Sequence, residues 1–413
     1  MKKNILFVHQ NFPGQYKHLA PELASIGHNV HSLSTYPKTS SGVIHHQYKP
    51  AISSTLGIHS LASEFEAKII RAESCANKAY ELKNDGFNPD LIIGHCGWGE
   101  LLFLKEVWPE TKMLSYLEFH YNLSNSDIDF EPEMNSFGKK NDNVFLRRKL
   151  LARNAGFYGQ YELSDSFITP TKFQQSTFPK RISNKINVIH EGIDTDKILP
   201  KKDVGIEING ITYSKKDKTV LFVNRNLEPY RGYHIFTRAI PKILKDHPDA
   251  LIIIVGGDSV SYGSRPPEGE TYKKIFFDKI KDEIDQSRII FTGFIDDYQK
   301  FITLLQLATV QVYLTYPFVL SWSLLESLSC EGLVIGSDTE PVKEVIKDNQ
   351  NGILVDFFDH NEIAKKVSQV LSNPSEFDHL KKNARKTIVS NYDLKKVALP
   401  KQINLVNTML GIK

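Results

Sequence analysis

Cysteine is scarce in this chain, and the few present do not cluster. Cys75, Cys96 and Cys330 are odd in number and far apart. That argues against a disulfide framework or a cysteine metal cluster and fits a reducing compartment. Long apolar runs are missing too. No segment approaches the roughly 18 continuous apolar residues that span a bilayer. The opening run, Ile5 to Val8, is shorter than a signal-peptide core and gives way to His9, Gln10 and Asn11. A cytoplasmic protein is therefore expected, at most peripheral on the membrane face. Net charge is only +3 over 413 residues, so the basic footprint of a nucleic-acid binder is absent.

What is there is an ordinary globular composition, 41% hydrophobic, and a length that allows two or three domains. Short β-rich runs alternate with longer amphipathic stretches, the pattern of a parallel α/β protein. Strands are expected at residues 4–9, 28–34, 90–95, 113–119, 166–169 and 186–190. Helices are expected at 15–26, 64–82, 100–107 and 144–163. The alternation restarts with strands at 219–224, 251–255, 288–292, 310–315, 333–336 and 352–355. Residues 1–193 and 219–390 thus read as two doubly wound domains in series. The polar stretch 194–218 between them reads as linker with a surface excursion. Residues 391–413 read as a terminal helix packing back toward the first domain. Such a pair places two sets of strand carboxyl ends at a cleft.

Two stretches carry chemistry. After the apolar run ending at Thr315 comes Tyr316-Pro317-Phe318-Val319-Leu320-Ser321-Trp322-Ser323-Leu324-Leu325-Glu326. This is a loop and a helix start at the carboxyl end of a strand, where open α/β sheets bind ligands. Glu326 lies one turn into that helix, where a carboxylate can accept from two neighbouring sugar hydroxyls. Its apolar neighbours Leu324, Leu325 and Leu328 would make an unpaired carboxylate costly. After the run 219–224 come Arg225 and Arg231, two cations suited to a pyrophosphate. The plainer alternatives are two solvated arginines and a surface glutamate. Gly14, just after the first strand, reads either as a tight turn or as a point of close backbone approach to a ligand.

In order along the chain, the residues resemble the retaining glycosyltransferases of family 4, the group 1 enzymes of GT-B fold. The resemblance covers most of the sequence. It is carried by Phe12-Pro13-Gly14-Gln15, Leu23-Ala24, Gly27-His28-Asn29-Val30 and Val188-Ile189-His190-Glu191-Gly192-Ile193-Asp194. It continues through Arg225 and Arg231, Gly256-Gly257, Phe291-Thr292-Gly293-Phe294-Ile295, Leu325-Glu326-Ser327-Leu328-Ser329-Cys330-Glu331-Gly332 and Val334-Ile335-Gly336-Ser337-Asp338. It implies two Rossmann-like parallel-sheet domains facing each other across a cleft, the first for the acceptor and the second for a nucleotide-diphosphate sugar of UDP or GDP type. It implies a hexosyltransferase-type enzyme, of the kind used in polysaccharide biosynthesis, acting with retention and without metal or other cofactor.

By the same resemblance Arg225 and Arg231 hold the diphosphate and Glu326 the ribose. Gly14 and Gly256 allow close backbone approach, and backbone groups near Phe294 and Ile295 meet the base. The loop Phe318, Val319, Leu320, Ser321 meets the sugar. The family often has a histidine after the strand expected at 113–119, which makes His120 a candidate. Glu118 competes with it, on the same face if the strand continues. The chain departs from the family at Phe318, where a glutamate eight positions before Glu326 is usual, and at Arg231, where lysine is usual. The acceptor is a sugar, a lipid-linked group or a small molecule. Arg147, Arg148, Lys149 and Arg153 on one expected helix could meet an anionic acceptor or membrane surface, and a solvated helix face is the plainer reading. The triplets Asp127-Ile128-Asp129 and Asp194-Thr195-Asp196 mimic a metal signature of another transferase class and are discounted. A nucleotide-sugar 2-epimerase and a non-catalytic scaffold subunit are the rival readings.

Overall fold

Runs such as Leu251–Gly257, apolar at nearly every position, cannot leave a face to solvent and belong inside a sheet covered on both sides. The computed structural model describes the chain except for residues 1, 132–133, 135–142, 209 and 413 and the side chain of residue 143. It divides into two compact units. The first comprises Met1–Ser124, Lys140–Gly192 and Leu394–Lys413; the second comprises Asn125–Lys139 and Ile193–Asp393.

The first unit holds β1 (Asn4–Val8), β2 (Asn29–Ser34), β3 (Val43–Gln47), β4 (Leu91–His95), β5 (Lys112–Tyr116), β6 (Ser166–Thr169) and β7 (Ile186–Val188). They form one sheet in the order β3-β2-β1-β4-β5-β6-β7, with every pair parallel. Side chains alternate across β1, as strand geometry requires. Leu6 and Val8 join Cys75, Ala79, Phe157 and Tyr161 of the helices Ser63–Asn84 and Asn143–Leu163. Ile5 and Phe7 join Leu19, Leu23, Val406 and Met409 on the other face. The terminal helix Leu399–Leu410 thus packs on this unit, and Lys112 Nζ donates to its Met409 carbonyl at 2.8 Å.

The second unit holds an antiparallel hairpin, β8 (Gly205–Ile208) and β9 (Ile211–Ser214). Its main strands are β10 (Thr219–Asn226), β11 (Leu251–Gly257), β12 (Ile289–Gly293), β13 (Val310–Tyr313), β14 (Val334–Ser337) and β15 (Ile353–Val355). They run parallel in the order β12-β11-β10-β13-β14-β15. Part of the stretch expected as linker is therefore structured: Ile206 and Ile208, alternating with Glu207, sink into this unit's core. In each sheet the strand order reverses at the first strand, between β1 and β4 and between β10 and β13. Those switch points are where ligands enter such sheets.

Candidate functional site

At the switch point of the second unit, the chain leaves β10 through Arg225, which is exposed and whose side chain has no ion pair or hydrogen bond among the described residues. A short turn, Pro229–Arg231, then reaches Gly232 at φ +69°. A Cβ at Gly232 would lie 2.3 Å from the Leu314 Cβ, so only glycine lets this turn meet the loop after β13. The turn buries Arg231. Its Nη1 donates to Thr315 Oγ1 at 2.8 Å and to the Val319 carbonyl at 2.9 Å. Phe318 is also buried, its ring edge-on to Tyr262 at 4.9 Å and to Tyr230 at 5.7 Å. The Arg231 guanidinium stands 5.3 Å from the Tyr262 ring. Buried Glu228 accepts from the Ser261 and Tyr262 amides at 2.6 and 3.1 Å. Burial pushes its carboxyl up, against the pull of those amides and of both arginines. On the helix Trp322–Ser329, Glu326 is buried and accepts from the Tyr298 hydroxyl at 2.6 Å. Ser321 caps that helix, and its N–H donates to the Tyr313 hydroxyl at 2.9 Å. That amide is therefore engaged within the loop that the resemblance places at the sugar.

Residues 125–131 cover this face. Asp127 accepts from the Tyr230 hydroxyl at 2.7 Å, and Glu131 binds His234 Nε2 at 3.0 Å and the Tyr316 hydroxyl. Phe130 stacks on Phe358. Asp129 closes a capping box with Ser126, and Asp194 pairs with Lys197. Both Asp-x-Asp triplets thus have structural partners. Among the described residues no group of three or more His, Cys, Asp or Glu is placed to hold a metal ion.

The switch point of the first unit carries a second constellation. The Asn11 amide donates to His9 Nδ1 at 2.9 Å, which leaves Nε2 to carry the ring hydrogen and donate to Gln15 Oε1 at 2.8 Å. Gln15 Nε2 then donates to Glu118 Oε1 at 3.3 Å. The Gly97 amide sets the His95 tautomer in the same way, through Nδ1 at 3.0 Å. His95 Nε2 stands 3.5 Å from Glu118 Oε2, near enough for attraction and too far for a good hydrogen bond. Burial pushes the Glu118 carboxyl up, but His95, His9 and Gln15 outweigh it and hold the group below its ordinary value. Burial, then the neighbouring His95, push His9 down to about 3. Gly14 serves this network: at φ +47°, its Cβ would fall 2.6 Å from the His9 ring.

Comparison with known proteins follows the two units. Residues 26–198 match the family described as Glycosyl transferase family 4 group. Residues 206–387 match Glycosyl transferases group 1. The chain belongs to the group 1, family 4 type of glycosyltransferase.

A glycosyltransferase of Methanocaldococcus jannaschii is 27% identical over 244 residues, 56% of this chain and 59% of that protein. The D-inositol 3-phosphate glycosyltransferase of Acidothermus cellulolyticus is 26% identical over 199 residues, 46% of this chain and 41% of that one. The chain spans about half the length of the curated relatives it matches. Among solved structures, sucrose-phosphate synthase of Thermosynechococcus elongatus superposes with TM-score 0.69 at 16% identity, covering 99% of this chain and 100% of that one. Anabaena HepE, solved with UDP-glucose, gives 0.68 at 14%, covering 98% and 100%. These likenesses establish the GT-B fold.

In this group 1 glycosyltransferase, the residues picked from sequence are not all brought together. Arg231, Phe318, Val319 and Ser321 come together at one switch point, with Arg225 on the strand end beside them. A Cβ at Gly256 would sit 2.8 Å from Leu227, so that glycine admits the loop that follows Arg225. Phe294 is exposed, while Ile295 packs on the core and Leu320 is half-buried against it. Glu118 joins the first unit's cluster and His120 does not. The strand expected to run to 119 ends at Tyr116, so the two do not share a strand face. The His120 ring lies among Phe157, Tyr158 and Phe178. His9, Gln15 and His95 were missed as site residues. His9 and His95 sit at, or one residue past, the carboxyl ends of β1 and β4, a position that could have flagged them.

Among the described residues no helix is long and apolar enough to cross a membrane.

Proposed function

We propose that this protein transfers a sugar from a nucleotide-diphosphate donor to a hydroxyl acceptor, with retention of configuration. The observation that carries the reading is the second unit's switch point, where, among the described residues, Arg225 is exposed without a side-chain partner and Arg231 is buried without a carboxylate ion pair. A leaving diphosphate gains negative charge as the glycosidic bond breaks, and fixed cations stabilise it there. The arginines supply the charge, so no metal or other cofactor is invoked. Glu326 would take the ribose, and backbone near Phe294 and Ile295 the base. The leaving phosphate would assist the incoming hydroxyl on the same face, so no protein nucleophile is required. Glu118, ionised and oriented by its neighbours, would receive acceptor hydroxyls.

The test is calorimetric titration of UDP and GDP into wild type and Glu326→Gln. One diphosphate should bind wild type, and the variant should lose most of that affinity. Unchanged affinity would place Glu326 outside the ribose site. Activity should survive EDTA; loss restored by Mg²⁺ would count against the arginine-only mechanism. A non-catalytic nucleotide-sugar-binding subunit is the second reading. What favours it is Phe318, whose packing on Tyr230 and Tyr262 puts an apolar ring where the family usually has a carboxylate. Donor-dependent release of nucleotide diphosphate separates the two.

A further inference from the structure

We propose that the first unit holds a built anion subsite, which gives the acceptor a phosphate or carboxylate group. The inference rests on the transfer reading only for the word acceptor; the site itself is defined by this unit's own residues. A cavity of about 240 Å³ is lined by Lys68, Arg71, His95, Trp98, Glu118 and Arg153, among others. That is smaller than pockets for drug-sized ligands, about 300–1,000 Å³, and suits one small polar molecule.

The charges lining it are unevenly matched. Arg153 is paired with Glu64 at 3.2 Å and lies over the Tyr121 ring. Glu118 is oriented by Gln15 and His95. Lys68 and Arg71 form no ion pair among the described residues. Lys68 is only 8% exposed, and its ammonium donates to the Arg153 carbonyl at 3.1 Å. An ammonium has three donors, so two remain. Arg71 uses Nε on the Trp98 carbonyl at 2.8 Å, and its outer nitrogens are free to form a fork for an oxyanion. One more donor lacks a hydrogen-bond partner, Trp98 Nε1, while His95 Nε2 has only its 3.5 Å approach to Glu118.

Burying a cation without a counter-charge costs several kcal/mol unless something arrives to pair it. A structural alternative is that Lys68 merely lies over Phe157, 4.9 Å from its ring. That contact accounts for neither the free Arg71 nitrogens nor the orphaned Trp98 ring N–H. The fold also makes room for this lysine. A Cβ at Gly99, itself at φ +104°, would lie 2.6 Å from Lys68, and one at Gly156 would lie 3.0 Å from it. Two glycines therefore clear the path of a buried lysine stem. An anionic group at Lys68 and Arg71 would leave a neighbouring hydroxyl of the same molecule to meet Glu118, the cavity's carboxylate oriented by Gln15 and His95. The ligand class is a phosphorylated or carboxylated sugar or polyol.

The experiment is calorimetry with inorganic phosphate, glucose 6-phosphate, glucuronate and glucose. The proteins are wild type, Lys68→Met, Arg71→Gln and the control Lys78→Met, whose lysine is on the same helix but pairs with Glu81 outside the cavity. UDP is titrated into each as a separate readout. At least one charged probe should bind wild type and Lys78→Met alike, and should weaken about tenfold or more in each cavity variant. Glucose should bind more weakly than its charged counterpart. A preference for glucose 6-phosphate identifies a phosphate and one for glucuronate a carboxylate; either supports the site. Equal affinity for glucose and the charged probes, wild-type affinity in both cavity variants, or no saturable binding of any charged probe below about 10 mM overturns it. Failure of UDP to bind would instead remove the donor assignment and leave the anion subsite standing.

Discussion

Arg225 and Arg231 differ in everything except the role assigned to them, and that difference can be measured. Arg231→Met deletes two hydrogen bonds from a charged donor, to Thr315 Oγ1 and the Val319 carbonyl. Such bonds contribute on the order of 1.5–3 kcal/mol each. Against that stands the desolvation of a buried guanidinium with no carboxylate ion pair among the described residues, which the methionine relieves. The net loss of stability should be on the order of 2 kcal/mol. Arg225 is exposed and its side chain has no partner among the described residues, so Arg225→Ala should stay within about 0.5 kcal/mol of wild type. Turnover should fall about a hundredfold in both, because each variant removes a preorganised charge from the leaving group. Thermal unfolding gives the first comparison, and nucleotide diphosphate released from a donor panel gives the second. Unequal stability with equal loss of activity is the expected signature. Wild-type turnover in Arg225→Ala would refute the diphosphate assignment.

Three further outcomes follow from the packing. Phe318→Glu should lower stability through two aromatic contacts, about 0.5–1.5 kcal/mol each, and should raise activity on no donor; a general gain in initial rates would favour the non-catalytic reading. Glu118 is held below its ordinary value of 4.5, so its contribution to stability is present above that pH and lost as pH falls through the lower folded value. The melting-temperature gap between wild type and Glu118→Gln should accordingly close on acidification, and a gap that widens would contradict the charge network. Gly14→Ala should destabilise the first unit by roughly 1–3 kcal/mol through positive φ and the His9 ring; an unchanged melting curve in calorimetry would remove the turn from the account.

Much of the fold was legible because the central strands are apolar on both faces. Leu251–Gly257 and Leu91–His95 read as buried strands in any context. Strand β3 was not, because Val43–Gln47 is an edge strand with two histidines and little burial. The hairpin Gly205–Ser214 hid in a charged stretch where only Ile206 and Ile208 mark the buried side. Membership of residues 125–131 in the second unit rests on Asp127, Phe130 and Glu131 meeting Tyr230, Phe358, His234 and Tyr316. No local pattern announces contacts at that sequence separation. The site behaves the same way. Arg225, Arg231 and Glu326 follow strands or open helices and could be picked by position. His95 could be found only by knowing that β4 lies beside β1, whereas His120 was picked because the resembled family often has a histidine after that strand, and it lies in an aromatic pocket instead.

The central claim is that the second unit's arginines serve transfer from a nucleotide-diphosphate sugar. The most direct measurement is proton NMR of wild type with UDP- and GDP-sugars, following the anomeric signal and the free diphosphate together, with Arg225→Ala in parallel. The expected result is donor-dependent diphosphate release by wild type, matched by product that keeps the donor's anomeric configuration, and nearly none in the variant. Intact donors throughout, or release at the same rate in both proteins, would contradict it.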